Sequence, residues 1–178
     1  MNKHVLNTVN QNFINNNLDT DIVSLLLRNT DFEEVDIKEL AEQIEAKRRC
    51  KSKLPTWFKT ENIYFPNKLN IEQTSSEITA QYKSTLVKGL SIIDLTGGFG
   101  VDAFYFSKQF KEVTHCELDE NLSEIVSHNF KTLEVNHINT VTTDGILYLK
   151  NYNTIFDCVY IDLSRSNYNI GKVFYVYE

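Results

Sequence analysis

The stretch SIIDLTGGFGVDAF at 91–104 constrains the fold of this chain more than any other feature. A short apolar run ends at Asp94, glycines follow at Gly97, Gly98 and Gly100, and an aromatic run with helical character comes next. Because glycine has no Cβ, its backbone takes positive φ angles and comes close to a ribose or a phosphate. In parallel α/β sheets, a glycine-rich turn after the first strand is where nucleotides bind. The stretch therefore predicts a strand, a turn and a helix that together bind a nucleotide-like cofactor.

The chain from this turn onward alternates between strand and helix patterns. Four apolar segments predict strands: LSIIDLT, EVTHCELD, INTVTTD and FDCVYIDLS. The segments VDAFYFSKQF, ENLSEIVSHNFKTL and GILYLKN between them predict helices, and KVFYVYE is a candidate for a fifth strand. Since alternating strands and helices form right-handed parallel crossovers, the predicted fold class is α/β, with a Rossmann-like sheet of about four parallel strands.

A small helical N-terminal domain is predicted over 1–70, ahead of a Rossmann-like domain at 71–178. The segment VDIKELAEQIEAKRRCKSK has apolar residues at helical spacing. Asp36 is a plausible N-cap for this helix, and Pro55 ends it. The next segment, LPTWFKTENIYFPNKLN, is predicted to be a connector with aromatic anchors.

A capping box is predicted at the start of the helix that precedes the glycine-rich stretch. Thr74 and Glu77 have the S/T-x-x-E spacing, in which each side chain binds the backbone of the other residue. Gly89 is a fitting C-cap. We therefore expect a helix from about Ser75 to Lys88 that leads directly into the first strand.

The composition narrows the classes of function. The 178 residues carry a net charge of −6, which argues against a surface coated for non-specific nucleic-acid binding. No window of about 18 uncharged apolar residues is present, and the N-terminus lacks the apolar core of a secretory signal. We therefore expect no membrane span and a cytoplasmic location. The three cysteines are far apart, which predicts neither a disulfide framework nor a metal site.

Two cofactor classes compete for the glycine turn. Gly98, Gly100 and Ala103 satisfy the GxGxxG/A pattern of dinucleotide-binding folds. Glu117 lies about 20 residues further on, where such folds place a ribose-binding acid. These residues favour a nicotinamide cofactor, and hence an oxidoreductase. No Tyr-x-x-x-Lys pair or catalytic His/Arg set follows, however, and Asp144 after the third strand would have no role.

The alternative is the first motif of class I S-adenosylmethionine (SAM) methyltransferases, which the segment DLTGGFG resembles. The acid ends the first strand, and Thr96 stands where that motif often has its first glycine. The resemblance implies that Glu117 holds the ribose hydroxyls and that Asp144 accepts a hydrogen bond from the adenine amino group. The implied SAM-binding residues are Asp94, Thr96, Gly98, Gly100, Glu117 and Asp144.

The likeness extends along the chain. The segments EQTSSEITAQYK, DLTGGFGVDAF, HNF and YIDLSR together resemble a family of bacterial class I methyltransferases with a THUMP-like C-terminal module. A more distant likeness is to trimethylguanosine synthases. The resemblance implies a helical region before the catalytic fold and an RNA acceptor. Since the family's sheet usually has seven strands, a chain with about four corresponds to a C-terminally truncated member.

The resemblance also implies an acceptor loop after the fourth strand. The family motif is similar to Asp-Pro-Ala/Ser-Arg-Arg, and here the sequence is DLSRS. The implied catalytic residues are Asp162, Ser164 and Arg165, with Asp162 accepting a hydrogen bond from the acceptor N–H. Leu163 replaces a proline that would fix φ near −65°, and Ser166 replaces the second arginine. We therefore expect a freer loop and reduced or absent activity.

Other features bear on partners. The segment KRRCKSK at 47–53 is a basic cluster near Trp57 and Phe58 that could contact RNA phosphates, or could be a solvated helix end. Tyr82 and Phe99 could pack against the cofactor or could be ordinary packing residues. A sheet of about four strands leaves an edge open, which predicts self-association and keeps a non-catalytic binding module as a third interpretation.

Overall fold

A single mixed sheet forms the centre of the computed structural model of this protein. Its strands are β1 (Ser91–Asp94), β2 (Glu112–Glu117), β3 (Ile138–Thr142), β4 (Cys158–Tyr160) and β5 (Tyr175–Val176). Their order is β3-β2-β1-β4-β5, with β1 to β4 parallel and β5 antiparallel to β4. The predicted α/β fold with about four parallel strands is confirmed. The structure describes residues 1–27, 32, 34–151 and 155–162, and the backbone alone of 175–176.

The strand order creates a crevice at the centre of the sheet. From β1 the chain moves outward through β2 to β3, and then returns to the opposite side of β1 as β4. The direction of winding therefore reverses between β1 and β4. In open parallel sheets such a reversal separates the loops at the carboxyl ends of the two strands, and ligands bind between those loops.

Helices precede the sheet and alternate with its strands. They are α1 (Thr8–Asn16), α2 (Ile22–Leu26), α3 (Ile37–Lys53), α4 (Pro55–Lys59), α5 (Lys68–Gln73), α6 (Glu77–Thr85), α7 (Val101–Phe106), α8 (Glu120–Thr132) and α9 (Gly145–Asn151). A 3₁₀ turn at Lys3–Leu6 comes before α1. Within the described ranges, no helix has the length and apolar character needed to cross a membrane.

The predicted boundaries of α3 are confirmed, but the segment after it is not a simple connector. Asp36 caps α3 by accepting a hydrogen bond from the Lys38 N–H at 2.9 Å, and α4 begins at Pro55. The segment predicted as a connector contains α4 and the start of α5. These helices are only five and six residues long, too short to be stable alone, so tertiary packing must maintain them.

The predicted capping box before α6 is wrong. Ser76 is the N-cap, and its hydroxyl accepts a hydrogen bond from the Thr79 N–H at 3.2 Å. The Glu77 carboxylate instead accepts hydrogen bonds from the Thr56 hydroxyl at 2.8 Å and the Tyr105 hydroxyl at 3.0 Å. These tertiary contacts outcompete the local one. The helix also ends at Thr85 with Leu86 as its C-cap, so Gly89 does not cap it.

One hydrophobic core joins the N-terminal helices to the sheet. Trp57 of α4 is fully buried, and its ring meets Phe104 of α7 edge-on with 4.9 Å between the ring centroids. Between the two regions, the Asn129 side chain binds both the N–H and the carbonyl of Tyr64, each at 2.9 Å. Buried side chains from both regions belong to one cluster. The division at residue 70 therefore stays a prediction about sequence organisation.

The edge beyond β4 carries a short strand. β5 pairs with β4 through Cys158↔Val176 and Val159↔Tyr175. The candidate fifth strand predicted in KVFYVYE thus lies at that edge and runs antiparallel. Self-association through a sheet edge remains a prediction.

Candidate functional site

Glycine is required at the three positions of the turn for different structural reasons. A Cβ on Gly97 would lie 2.4 Å from His115 Nε2 and 2.6 Å from the Cys116 carbonyl oxygen. Gly100 has φ +77°, and a Cβ there would lie 2.6 Å from the Phe130 ring. Packing against β2 and α8 therefore excludes side chains at these two positions.

Gly98 is the glycine with space around it. It has φ +57°, and the nearest atom that a Cβ would meet is the Thr96 carbonyl oxygen at 3.8 Å. The position thus combines a left-handed backbone with an unobstructed approach. Of the three glycines, Gly98 best fits the predicted role of letting a ligand come close to the backbone.

A cavity of about 320 Å³ opens above Gly98 at the carboxyl ends of β1, β2 and β4. Carboxylates from four segments line it: Asp94, Asp102, Glu117, Asp119 and Asp162. Polar side chains from outside the sheet also line it, among them Asn67 and Asn70 of the helical region and Ser75 before α6. The cavity therefore lies between the sheet and the N-terminal helices, at the position where the strand order reverses.

Glu117 has a fixed orientation at the end of β2. Its Oε2 accepts a hydrogen bond from the Gly98 N–H at 2.8 Å, and its Oε1 accepts one from the Asp119 N–H at 2.8 Å. The carboxylate is thus tied to the glycine turn on one side and to the start of α8 on the other. Each carboxylate oxygen can accept further hydrogen bonds from a ligand diol.

Asp94 lies at the base of the cavity and is 1 % exposed. Burial raises the pKa of Asp94 to about 7, although hydrogen bonds from the Thr96 N–H at 3.0 Å and the Thr96 hydroxyl at 3.3 Å favour its ionised form. Asp94 therefore titrates near neutral pH. Its charge state will respond to a charged ligand in the cavity.

A buried lysine joins the acids beside Tyr160 and Asp162. Lys83 Nζ lies 3.0 Å from Asp102 Oδ1, 3.1 Å from Asp162 Oδ2 and 2.6 Å from the Tyr160 hydroxyl. It also donates to the Ser75 hydroxyl at 2.7 Å. Burial alone would lower the pKa of Lys83, but Asp102 and Asp162 outweigh burial and raise it. The ammonium is therefore charged and partly offsets the acids around it.

Lys83 was not among the residues predicted from the sequence. The available signal was its spacing in α6, where Glu77, Ala80 and Lys83 lie on one face and all are buried. A lysine on the face that also carries Ala80 indicates a buried partner of opposite charge. Among the described residues, no group of three or more His, Cys, Asp or Glu side chains could hold a metal ion.

Asp162 is held at both its main chain and its side chain. Its N–H donates to the Thr96 hydroxyl at 2.8 Å, and its Oδ2 accepts hydrogen bonds from Lys83 and from the Tyr160 hydroxyl. Asp162 thus lines the cavity, and its implied catalytic role stays a prediction. The other two implied catalytic residues, Ser164 and Arg165, lie outside the described residues.

Of the remaining predicted residues, Phe99 lines the cavity, whereas Asp144 and Tyr82 do not. The Asp144 carboxylate binds the Ile146 N–H at 2.8 Å and the Leu147 N–H at 3.0 Å, and it is not among the cavity-lining residues. Its predicted role toward adenine therefore stays a prediction. Phe99 lines the cavity and packs near Trp57, whereas Tyr82 is 64 % exposed and does not line the cavity.

Most cations of the basic cluster at 47–53 form hydrogen bonds or ion pairs with other residues of this chain. Lys47 donates to Asn15, and Arg48 donates to the carbonyl oxygens of Asn17, Leu18 and Thr20. Arg49 pairs with Glu45 and Glu72, and Lys53 donates to the carbonyl oxygens of Ile71 and Glu72. Because these contacts already engage four of the five cations, and Lys51 alone is not a cluster, the segment gives no separate support for a phosphate-binding surface.

His115 of β2 lies fully buried beneath the turn, and neither ring nitrogen has a hydrogen-bond partner among the described residues. Burial lowers its pKa, so the unfolded chain binds a proton more readily than the folded one. We expect His115→Leu to raise the free energy of unfolding by about 1–3 kcal/mol. The gain over wild type should widen as the pH falls below about 6.5, where the unfolded histidine becomes protonated.

Urea denaturation of both proteins between pH 5 and pH 8 measures this difference. Thr114→Val, on the same strand and also buried, controls for the general effect of an apolar substitution in β2. A stability difference that is constant over this pH range would contradict the role assigned to His115.

Comparison with known proteins supports the fold. No protein-family model and no curated protein matches the chain. A crystal structure of a candidate methyltransferase from Porphyromonas gingivalis W83 is similar over 92 % of this chain, with a TM-score of 0.77 and 28 % identity. The chain spans 41 % of that neighbour's length.

A tRNA methyltransferase of M. jannaschii is similar over 51 % of this chain and 29 % of its own, with a TM-score of 0.43 and 15 % identity. The likeness to the P. gingivalis neighbour covers the helical region as well as the sheet. The chain has the Rossmann-like fold of class I methyltransferases.

Proposed function

We propose that this protein binds SAM and transfers its methyl group to RNA in the cytoplasm. The observation that carries the proposal is the charge of the cavity. Five carboxyl groups line it, of which Asp94 is only partly ionised near pH 7, and the nearby Lys83 ammonium offsets only part of the negative charge of the site. Such a cavity favours a cationic ligand with hydroxyls that an acid can bind, and SAM has both a sulfonium and a ribose diol.

The same charge disfavours the nicotinamide alternative. A dinucleotide would bring a pyrophosphate to the Gly98 turn, close to Asp94 and Glu117. Like charges at short distance in a partly buried site repel strongly. SAM has no phosphate, so it avoids this repulsion.

The cavity residues fit SAM in the following roles. Glu117 would accept hydrogen bonds from the ribose hydroxyls, and Gly98 would let the cofactor approach the backbone. Asp94 would balance the positive charge of the cofactor. SAM supplies a methyl group that is already activated by a positively charged sulfur.

Methyl transfer requires correct placement of the acceptor more than acid–base power. The lone pair of the acceptor atom forms a bond to the methyl carbon, and the electrons of the carbon–sulfur bond return to sulfur. Asp162 would accept a hydrogen bond from the acceptor N–H and so orient the lone pair toward the methyl carbon. The acceptor proton is then released to water.

The RNA acceptor and the THUMP-like family assignment rest on the sequence motifs. The segments EQTSSEITAQYK and YIDLSR carry that likeness, and the first contributes Ser75 and Lys83 to the site.

Incubation with methyl-labelled SAM and either bulk bacterial RNA or bulk protein distinguishes the acceptors. Label in RNA supports the proposal, and label in protein alone contradicts the choice of acceptor.

Calorimetric titration of the purified chain tests the cofactor. We expect SAM to bind and NAD not to bind detectably. Binding of NAD in preference to SAM would overturn the proposal in favour of an oxidoreductase. A folded protein that binds neither would favour a non-catalytic module.

The pKa of Asp94 implies that SAM binding depends on pH. A cationic ligand favours the ionised carboxylate, so binding near pH 7 should release a proton from Asp94. SAM affinity should therefore rise by about tenfold between pH 6 and pH 8 and then level off. Calorimetry in two buffers of different ionisation enthalpy measures the proton release. Asp94→Asn should abolish the pH dependence, and an unchanged dependence in this variant would contradict the assignment.

A further inference from the structure

Thr96 connects the two halves of the cavity through one hydroxyl. Its Oγ1 accepts a hydrogen bond from the Asp162 N–H at 2.8 Å and donates one to Asp94 Oδ1 at 3.3 Å. Asp94 ends β1 at the base of the cofactor cavity, and Asp162 follows β4 on the acceptor side. A glycine at position 96, which the family motif often has, could make neither side-chain contact.

The Asp162 carboxylate has separate support. Lys83 and the Tyr160 hydroxyl both bind its Oδ2, at 3.1 Å each. The side chain of Asp162 is therefore held from α6 and β4, while its main chain is held from the glycine turn. Thr96 is the residue that links the main chain of Asp162 to Asp94.

We propose that Thr96 is a positioning residue that couples cofactor binding at Asp94 to the placement of Asp162. The inference rests on the proposed function, because it requires SAM in the cavity. A hydroxyl that donates to an ionised carboxylate is polarised and becomes a better acceptor for a second hydrogen bond. A cationic cofactor keeps Asp94 ionised, and so strengthens the hold on the Asp162 N–H. The acceptor side is thus ordered more firmly after the cofactor has bound.

Other titratable groups around Asp94 are Lys83 of α6, Asp102 of α7, Cys116 of β2 and Tyr160 of β4. Lys83 and Tyr160 also bind the Asp162 carboxylate, whereas the Asp162 N–H donates to the Thr96 hydroxyl. A substitution at Thr96 leaves all of them in place. The comparison of Thr96→Val with Thr96→Ser therefore isolates the hydroxyl, because valine matches the shape of threonine and serine keeps the hydroxyl.

Amide hydrogen exchange of Asp162, followed by NMR with and without SAM, tests the coupling. In the free protein, exchange at Asp162 should be about fivefold faster in Thr96→Val than in wild type. SAM should slow this exchange by a further factor of about five in wild type and in Thr96→Ser, but not in Thr96→Val. Because coupling is reciprocal, SAM should bind Thr96→Val more weakly by a similar factor.

The outcomes separate the two proposals. No binding of SAM to the wild type overturns the proposed function and the coupling together. SAM binding that leaves Asp162 exchange unchanged in wild type overturns the coupling alone, and so does a SAM effect that persists in Thr96→Val. If Thr96→Val does not fold, Thr96→Ala removes the same hydroxyl without requiring that a larger apolar group be accommodated, and the same comparisons apply.

Discussion

SAM should bind Glu117→Ala about 100-fold more weakly than wild type, because the change removes a charged acceptor that can bind both ribose hydroxyls. The carboxylate is already oriented by the N–H groups of Gly98 and Asp119, so little ordering is required when the ligand arrives. Glu117→Gln keeps one acceptor oxygen and loses the charge. It should therefore show an intermediate loss of about tenfold. Calorimetry with SAM measures all three affinities.

Glu112→Ala is the matched control for this series. Glu112 lies on the same strand at the opposite end and is exposed. Its substitution should leave SAM affinity unchanged, and circular dichroism should show that every variant is folded. Equal affinities for wild type and Glu117→Ala would remove Glu117 from the cofactor site. Equal losses in Glu117→Ala and Glu112→Ala would indicate a general effect of charge.

Trp57→Ala should lower the free energy of unfolding by about 3–5 kcal/mol, the usual cost of removing a fully buried large aromatic side chain. The ring packs on Phe104 and Phe99, so the cavity left behind would lie between α4 and the glycine-turn helix α7. The helical region and the sheet share this core, and we expect them to unfold in a single transition. Urea denaturation followed by far-ultraviolet circular dichroism measures both quantities.

Two further variants define the contribution of Trp57. Trp57→Phe keeps an aromatic ring and should lose less stability than Trp57→Ala. Tyr82→Ala removes an aromatic side chain that is 64 % exposed, and should change stability by less than about 0.5 kcal/mol. Two separate transitions in wild type, or a loss in Trp57→Ala no larger than in Tyr82→Ala, would show that the shared core does not couple the two regions.

The three acids Glu117, Asp94 and Asp162 lie close together in the site but have different surroundings. Glu117 is tied to backbone N–H groups near solvent, whereas Asp94 is buried and titrates near neutral pH. The carboxylate of Asp162 forms an ion pair with the Lys83 ammonium. Three acids of the same chemical type thus have different hydrogen-bond partners and burial, and sequence position alone does not reveal those partners.

The sequence by itself determined the sheet and the position of the glycine turn. The strands β1, β2 and β4 are recognisable because most of their residues are buried in the sheet, which requires short, largely apolar runs. The edge strand β3 is only partly buried, and its place between two helix patterns identifies it. Asp94 and Glu117 each end such a run, and the carboxyl ends of parallel strands meet at one edge. Their presence in one cavity with Gly98 was therefore predictable from local patterns.

Only the tertiary structure decided which polar groups meet. Lys83 and Asp162 are 79 residues apart in the sequence, and Thr96 and Asp162 are 66 apart, so no local pattern records either contact. Glu77 leaves its predicted capping role because Thr56 and Tyr105 lie close to it in the folded chain. Apolar periodicity determines which face of each element is buried. The partners of a buried polar group depend on how those faces pack together, since each such group must find a hydrogen bond or an opposite charge there.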